Sequence, residues 1–182
     1  EGDLTAPDAP RSIIAQVRDS FGALALLVNS AAIFEGEDWP ITDEMWARHL
    51  DVNLTAPMRL IREATPLLRE ARGAVVNVID AAWQRPTWRG HTAYLVSKAG
   101  LAALTQNLAR TLAPDVRVNG VAPGAVLPPP EYEAAEREAA IRRVPLGRWG
   151  TPEDVAQAVV LLASNDYVTG QIVCVDGGRS VV

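Results

Sequence analysis

A chain of 182 residues with 48% hydrophobic and 21% charged residues has room for one globular domain with a sizeable core, and not for two. A net charge of -5 argues against the basic face that nucleic-acid phosphates require, and the longest apolar runs, such as "ALALLVNSAAI" (23–33), are too short to span a membrane. The single cysteine, Cys174, excludes an internal disulfide and suits a reducing, cytoplasmic setting.

In chain order, the first amphipathic run predicts a helix over 8–20. A strand follows at "ALALLVNSA" (23–31), then a long helical stretch over 42–70 and a second strand at "GAVVNVID" (73–80). Beyond the irregular "WQRPTWRGH" (83–91) come a helix over 92–112 and a strand at "VRVNGVAPG" (116–124). The irregular "PGAVLPPPEY" (123–132) leads into a helix over 131–142 and another over 151–164, and the last strand is "IVCVDGG" (172–178). The helix at 151 opens with "TPED": Thr151 as N-cap, Pro152 at the first helical position and Asp154 placed to bond back to the cap. Strands alternating with helices predict one α/β domain over 1–182, a parallel sheet covered on both faces. Both irregular stretches follow strand ends, the rim where open parallel sheets bind ligands.

Tyr94 and Lys98 stand four apart on a predicted helix, so they share a face one turn apart. A phenol has an ordinary pKa near 10, and a nearby ammonium favours the phenolate. The pair therefore predicts a tyrosine with its pKa lowered for acid–base work. By itself Tyr-x-x-x-Lys is a weak signal, but it comes here with "LVNSAA" (27–32), "DVNLTAP" (51–57), "VRVNGVAPG" (116–124) and "VDGG" (175–178).

In that order these pieces resemble the short-chain dehydrogenase/reductase family over essentially the whole chain. The resemblance implies a Rossmann-like, doubly wound parallel sheet, represented by the fourth to seventh of the family's seven strands. It also implies an NAD(P)-dependent oxidoreductase that is homotetrameric when complete, binds a small-molecule substrate and needs no metal. Asn29, Ser30 and Ala31 look like a variant of the family's Asn-Asn-Ala-Gly stretch beside the adenosine ribose. Asn53 matches the asparagine that kinks its helix and anchors a relay water. Tyr94 matches the catalytic acid, and Lys98 the residue that binds the nicotinamide ribose. Pro123 and Gly124 match the turn under the nicotinamide, and Asp3 and Leu4 the pair flanking the adenine. The family's usual Thr after that turn is absent, since "AVLPPP" follows.

Where most of the family places a serine, "VNVID" carries Asp80. An ionised carboxylate only accepts hydrogen bonds and would repel the oxyanion formed when a ketone is reduced. A carboxyl bonded to Tyr94 could instead relay a proton to a ring nitrogen as a C=N bond is reduced. The pteridine reductases have this aspartate. The resemblance extends to "QRP" (84–86), "GH" (90–91), "RVNGVAPGAVL" (117–127) and "VTGQIVCVDGGRS" (168–180). It implies NADPH as cofactor, a dihydropterin or dihydrofolate-like substrate, and Phe34 stacked on the pterin. Phe34 is otherwise an apolar plug on a loop, and Asp80 a strand-end carboxylate accepting a helix N–H. Asp80 lies fourteen residues before Tyr94, one more than is usual, the extra residue falling in "PTWRGH" (86–91). Trp83 and Trp88 in that loop are candidates for a pocket wall, for exposed packing or for an oligomer contact.

The family's glycine-rich pyrophosphate turn has no counterpart before Asn29. About 60 residues, two βα units, would supply it. On this expectation the N-terminal βαβ unit is missing, NADP-versus-NAD determinants lie upstream of Glu1, and the 182-residue chain alone is inactive. Two other readings stay open: a short-chain reductase acting on another heterocycle or a carbonyl, and a non-catalytic truncated domain.

Overall fold

A computed structural model of the chain describes residues 2–86, 89–128 and 132–182. Among the described residues, four short apolar runs form one sheet: β1 (Leu26–Asn29), β2 (Ala74–Val78), β3 (Arg117–Pro123) and β4 (Ile172–Val175). They lie side by side in chain order, and every neighbouring pair is parallel. Each connection must therefore return to the same edge of the sheet, and helices provide the crossovers. Helix α1 (Ala9–Phe21) precedes β1, and the crossovers hold α2 (Asp43–Leu50), α3 (Ala56–Glu70), α4 (Thr92–Leu112), α5 (Ala134–Ile141) and α6 (Pro152–Ser164). Every predicted strand and helix is present, the strands trimmed by a few residues where the chain leaves the ladder.

Successive strand residues point to opposite faces, and the core divides accordingly. Val75 packs with Leu60, Ile61, Leu68 and Leu112 of α3 and α4, whereas Val76 packs with Val121 and Leu162 of α6. On α3 the buried Leu60, Ile61, Ala64, Leu67 and Leu68 follow the spacing of a single apolar stripe. Helix α4 lies deeper, with Ala93, Ser97, Ala102 and Thr105 fully buried. Its small side chains allow a close approach to the sheet. Helix α5 buries none of its residues, and it begins at Ala134, later than the predicted 131. The capping box on α6 forms as expected: Asp154 N–H donates to Thr151 Oγ1 (3.2 Å) and Thr151 N–H to Asp154 Oδ2 (2.9 Å).

The long helix predicted over 42–70 is interrupted by a π-helical turn at Asp51–Thr55. Pro57 carries no N–H to reach the Asn53 carbonyl four residues back, so the regular ladder cannot pass through this turn. The widened turn turns the Asn53 side chain inward, fully buried.

Leu68 is fully buried and Phe21 is 79% exposed. Leu68→Ala should lower unfolding free energy by about 2–5 kcal/mol. Phe21→Ala should change it by less than about 0.5 kcal/mol, the usual range for exposed positions. Urea titration of both variants checks the contrast.

Candidate functional site

The carboxyl-terminal ends of β2, β3 and β4 converge on one rim, and the candidate residues gather there. β2 ends at Val78 and the chain turns into a 3-10 segment at Ala81–Trp83. Asp80 caps that segment, its Oδ1 accepting from Ala82 N–H at 2.7 Å. Its Oδ2 accepts from the Tyr94 hydroxyl at 3.0 Å. One carboxylate oxygen thus holds the turn and the other holds the phenol. The extra residue in the intervening loop has not separated them.

Tyr94 and Lys98 occupy one face of the first turns of α4. Lys98 Nζ donates to Val78 O at 2.8 Å and lies 5.9 Å from the Tyr94 ring centroid. The electrostatics correct the expected lowering of Tyr94. Burial, and then the Asp80 charge and hydrogen bond, hold the phenol well above its ordinary value. Burial likewise raises Asp80, against the opposing pull of the Ala82 and Tyr94 bonds and of the Lys98 and Arg179 charges. Burial pushes Lys98 down to about 8. Burial thus holds Tyr94 and Asp80 toward their protonated forms.

Gly124 closes the third side. Its N–H donates to Val175 O at 3.0 Å, and a Cβ there would meet Asp176 Cβ at 2.5 Å, so no other residue fits against the end of β4. Asp176 accepts from Gly178 N–H and Ser180 N–H, making the turn that brings Arg179 to the rim. A cleft of about 670 Å³ opens in front, bordered by Phe34, Tyr94, Gly124, Arg143, Trp149 and Arg179. A smaller recess of about 30 Å³ lies beside Asp80, and Gly124 and Arg179 border both. Tyr94 therefore faces the cleft with Asp80 behind it.

Phe34 is half exposed to the cleft, edge-on to Tyr94 (4.8 Å between centroids, 79°). Asn53 lies beneath, its Oδ1 accepting from Ile33 N–H and its Nδ2 donating to Ile33 O and Ser97 Oγ. Its side chain is thus engaged by protein groups. Asn29 ends β1 in register with Asn77 and donates to its Oδ1 at 2.8 Å; Asn77 in turn donates to Thr105 Oγ1. Ser30 and Ala31 are exposed just beyond. Asp3 accepts from Thr5, and Leu4 packs on the α1–α3 side of the core, both away from the cleft lining. Trp83 packs against the Ile79–Leu101 cluster. Trp88 lies outside the described residues.

Lys98 has the donor chemistry a nicotinamide ribose needs: a buried ammonium with three N–H groups, one directed to Val78 O. Arg143 and Trp149 on the cleft and His49 behind Phe34 are residues the sequence did not single out, and His91 and Arg179, which it held only within longer matching stretches, line the cleft as well. His49 could have been noticed as a polar residue four before Asn53, on the same helical face.

The family model described as enoyl-(acyl carrier protein) reductase matches residues 1–180. Over 185 residues the chain is 35% identical to the 3-oxoacyl-[acyl-carrier-protein] reductase FabG of Thermotoga maritima, covering 97% of this chain and 74% of that protein. It is 37% identical over 177 residues to the 3alpha-hydroxysteroid dehydrogenase of Mediterraneibacter gnavus, covering 91% and 69%. Among solved structures, the aldohexose dehydrogenase of Thermoplasma acidophilum superposes with a TM-score of 0.92 at 29% identity, covering all of this chain and 78% of that one.

The raised phenol has a direct spectroscopic consequence. Tyr94 should stay protonated past pH 10, where exposed tyrosines ionise, and Asp80→Asn should move its ionisation downward by removing the neighbouring negative charge. Ultraviolet titration, with Tyr94→Phe subtracted, checks the sign.

Proposed function

The chain belongs to the short-chain dehydrogenase/reductase family, and from that premise we propose that it carries the catalytic residues of an NADPH-dependent reductase of dihydropterins. The observation that carries this reading is the 3.0 Å hydrogen bond between Tyr94 Oη and Asp80 Oδ2, in a buried site that raises both groups. A carbonyl reductase wants a neutral donor to the developing oxyanion at this place. A carboxyl instead makes a proton reservoir behind the tyrosine, which suits protonation of a ring nitrogen.

In this reading the cofactor, when bound, supplies a hydride to a carbon of the dihydropterin pyrazine ring. The Tyr94 hydroxyl would turn from Asp80 to give its proton to the adjacent ring nitrogen, and the Asp80 carboxyl, in its protonated form, would then donate to the tyrosine oxygen, ending as carboxylate until solvent reprotonates it. Lys98, with Tyr94, would hold the nicotinamide ribose. Its ammonium also offsets charge on Asp80. Pro123 and Gly124 would form the turn for the nicotinamide, Asn29, Ser30 and Ala31 would serve the adenosine ribose, and Asp3 and Leu4 the adenine. Asn53 keeps the loop before Phe34 in place, and Phe34 presents its exposed face to the flat ring.

A second reading, reduction of a 3-oxoacyl carbonyl, is favoured by the 35% identity to a 3-oxoacyl-[acyl-carrier-protein] reductase. There Asp80 would act only while protonated, as a donor to the carbonyl oxygen.

Turnover of 7,8-dihydrobiopterin and dihydrofolate, set beside a 3-oxoacyl thioester and a ketone panel, separates the two. Asp80→Ala should lower kcat/KM for dihydrobiopterin at least about a hundredfold, the range of a lost general acid, with NADPH binding nearly unchanged. Asp80→Ser should lower pterin turnover and raise carbonyl turnover. Retention of pterin turnover within a few-fold in Asp80→Ala would overturn the relay.

The ammonium of Lys98, pushed down to about 8, predicts a second signature. As pH rises through that value the charge is lost, so kcat/KM should fall on the alkaline side, and Lys98→Arg should remove that limb from whatever activity remains.

A further inference from the structure

The loop carrying Phe34 is held in an unusual way. Both main-chain groups of Ile33, on one side, bond to the Asn53 side chain (2.9 and 3.0 Å). Both main-chain groups of Glu35, on the other side, bond to histidines. Its N–H donates to His49 Nε2 at 3.4 Å, and its carbonyl lies 3.3 Å from His91 Nδ1. These are the only two histidines in the sequence. Arg48 pairs with the Glu35 carboxylate at 3.0 Å. The His91 ring also stacks on Phe34, 4.3 Å away and 9° from parallel.

A loop this exposed needs no buried side chains to satisfy its backbone, because water can do that. Side chains from α2, the π-turn and the start of α4 fix it nonetheless, on both flanks of a single half-exposed aromatic ring. His49 is completely buried, and its Nδ1 lies 3.0 Å from Met45 O. That bond requires a proton on Nδ1, which leaves Nε2 as the lone-pair side able to accept from Glu35. An apolar residue would fill the same space but could not hold the loop.

We propose that His49 is a positioning residue for recognition of a flat substrate, fixing through Glu35 the ring plane that Phe34 presents to the cleft. This rests on Phe34 being the substrate wall, as proposed above. His49 touches neither substrate nor cofactor, so its effect belongs in binding and not in the chemical step.

Asparagine and glutamine separate the two bonds. An Asn amide reproduces the Nδ1 side of the imidazole, whereas a Gln amide reaches the Nε2 side. His49→Asn should raise KM for 7,8-dihydrobiopterin about three- to tenfold, the worth of one hydrogen bond, with kcat within about twofold. His49→Gln should stay near the parent. In a Phe34→Ala background His49→Asn should add nothing further, because the ring it positions is gone. Equal effects in both backgrounds, equal effects of Asn and Gln, or a loss confined to kcat would each overturn the proposal.

Hydrogen exchange at the Glu35 amide supplies a readout without turnover and, in the parent, without any substitution. It should be slow compared with other exposed loops, fast in His49→Asn and slow again in His49→Gln. A fast-exchanging Glu35 amide in the parent would overturn the clamp even where His49→Asn fails to fold. Absence of pterin turnover in the parent combined with the expected exchange pattern would instead overturn the pterin reading, and with it the substrate assigned to Phe34, leaving His49 as the residue that holds the loop.

Discussion

The site depends on a phenol and a carboxyl sharing a hydrogen bond where little water reaches either. In water such a bond would have small consequence, since both partners are well solvated in either protonation state. With both buried, desolvation pushes each toward its neutral form; the Asp80 charge and bond add to the rise of Tyr94, while the Tyr94 bond pulls Asp80 the other way. A tyrosine that elsewhere would need help to lose a proton is here kept charged with one. Lys98 is the counterweight: its ammonium draws Asp80 toward the carboxylate, while its own burial weakens its hold on a proton.

The rest of the fold serves to hold that bond. Tyr94 comes from α4 and Asp80 from the turn after β2, so their separation depends on how closely α4 lies on the sheet. Small buried side chains along α4 permit that approach, and Lys98 ties the helix directly to the Val78 carbonyl at the end of β2. The chain of amides and hydroxyl from Asn29 through Asn77 to Thr105 joins β1, β2 and the middle of α4 by bonds of 2.8 Å. Asn53 and Ser97 do the same nearer the helix start. Polar groups buried this deeply are costly unless paired, so each link penalises alternative registers as well as supporting this one.

On the cleft side, positional control passes to the loop before α2. Its aromatic ring and the tyrosine meet edge to face, and Glu37 binds the loop to the beginning of α4 through Ala93 N–H. Phe34 and Tyr94 thus share one rigid frame. Arg143 and Arg179 line a cleft that also carries Glu136, so the chemistry around a bound ring is mixed in charge.

The sequence by itself determined the elements, their order and the residues that the fold gathers at the rim, Asp80, Tyr94 and Lys98. Period-two apolar runs and the stripe along α3 are local properties of neighbouring residues, and turn residues such as Thr151 and Pro152 act within a few positions of themselves. Tyr94 and Lys98 were legible because a helix fixes what lies four residues apart. Asp80 was legible because it departs from a strand-end pattern that otherwise carries a serine. What the tertiary structure decided was the sense of the electrostatics and the reach of the site. The phenol is raised, not lowered, because burial and a carboxyl fourteen residues away govern it. The clamp of His49 and His91 on Glu35 and the arrival of Arg179 beside Asp80 join residues distant in the chain. Such effects depend on desolvation and on distances across the fold, neither of which is encoded in the spacing of letters.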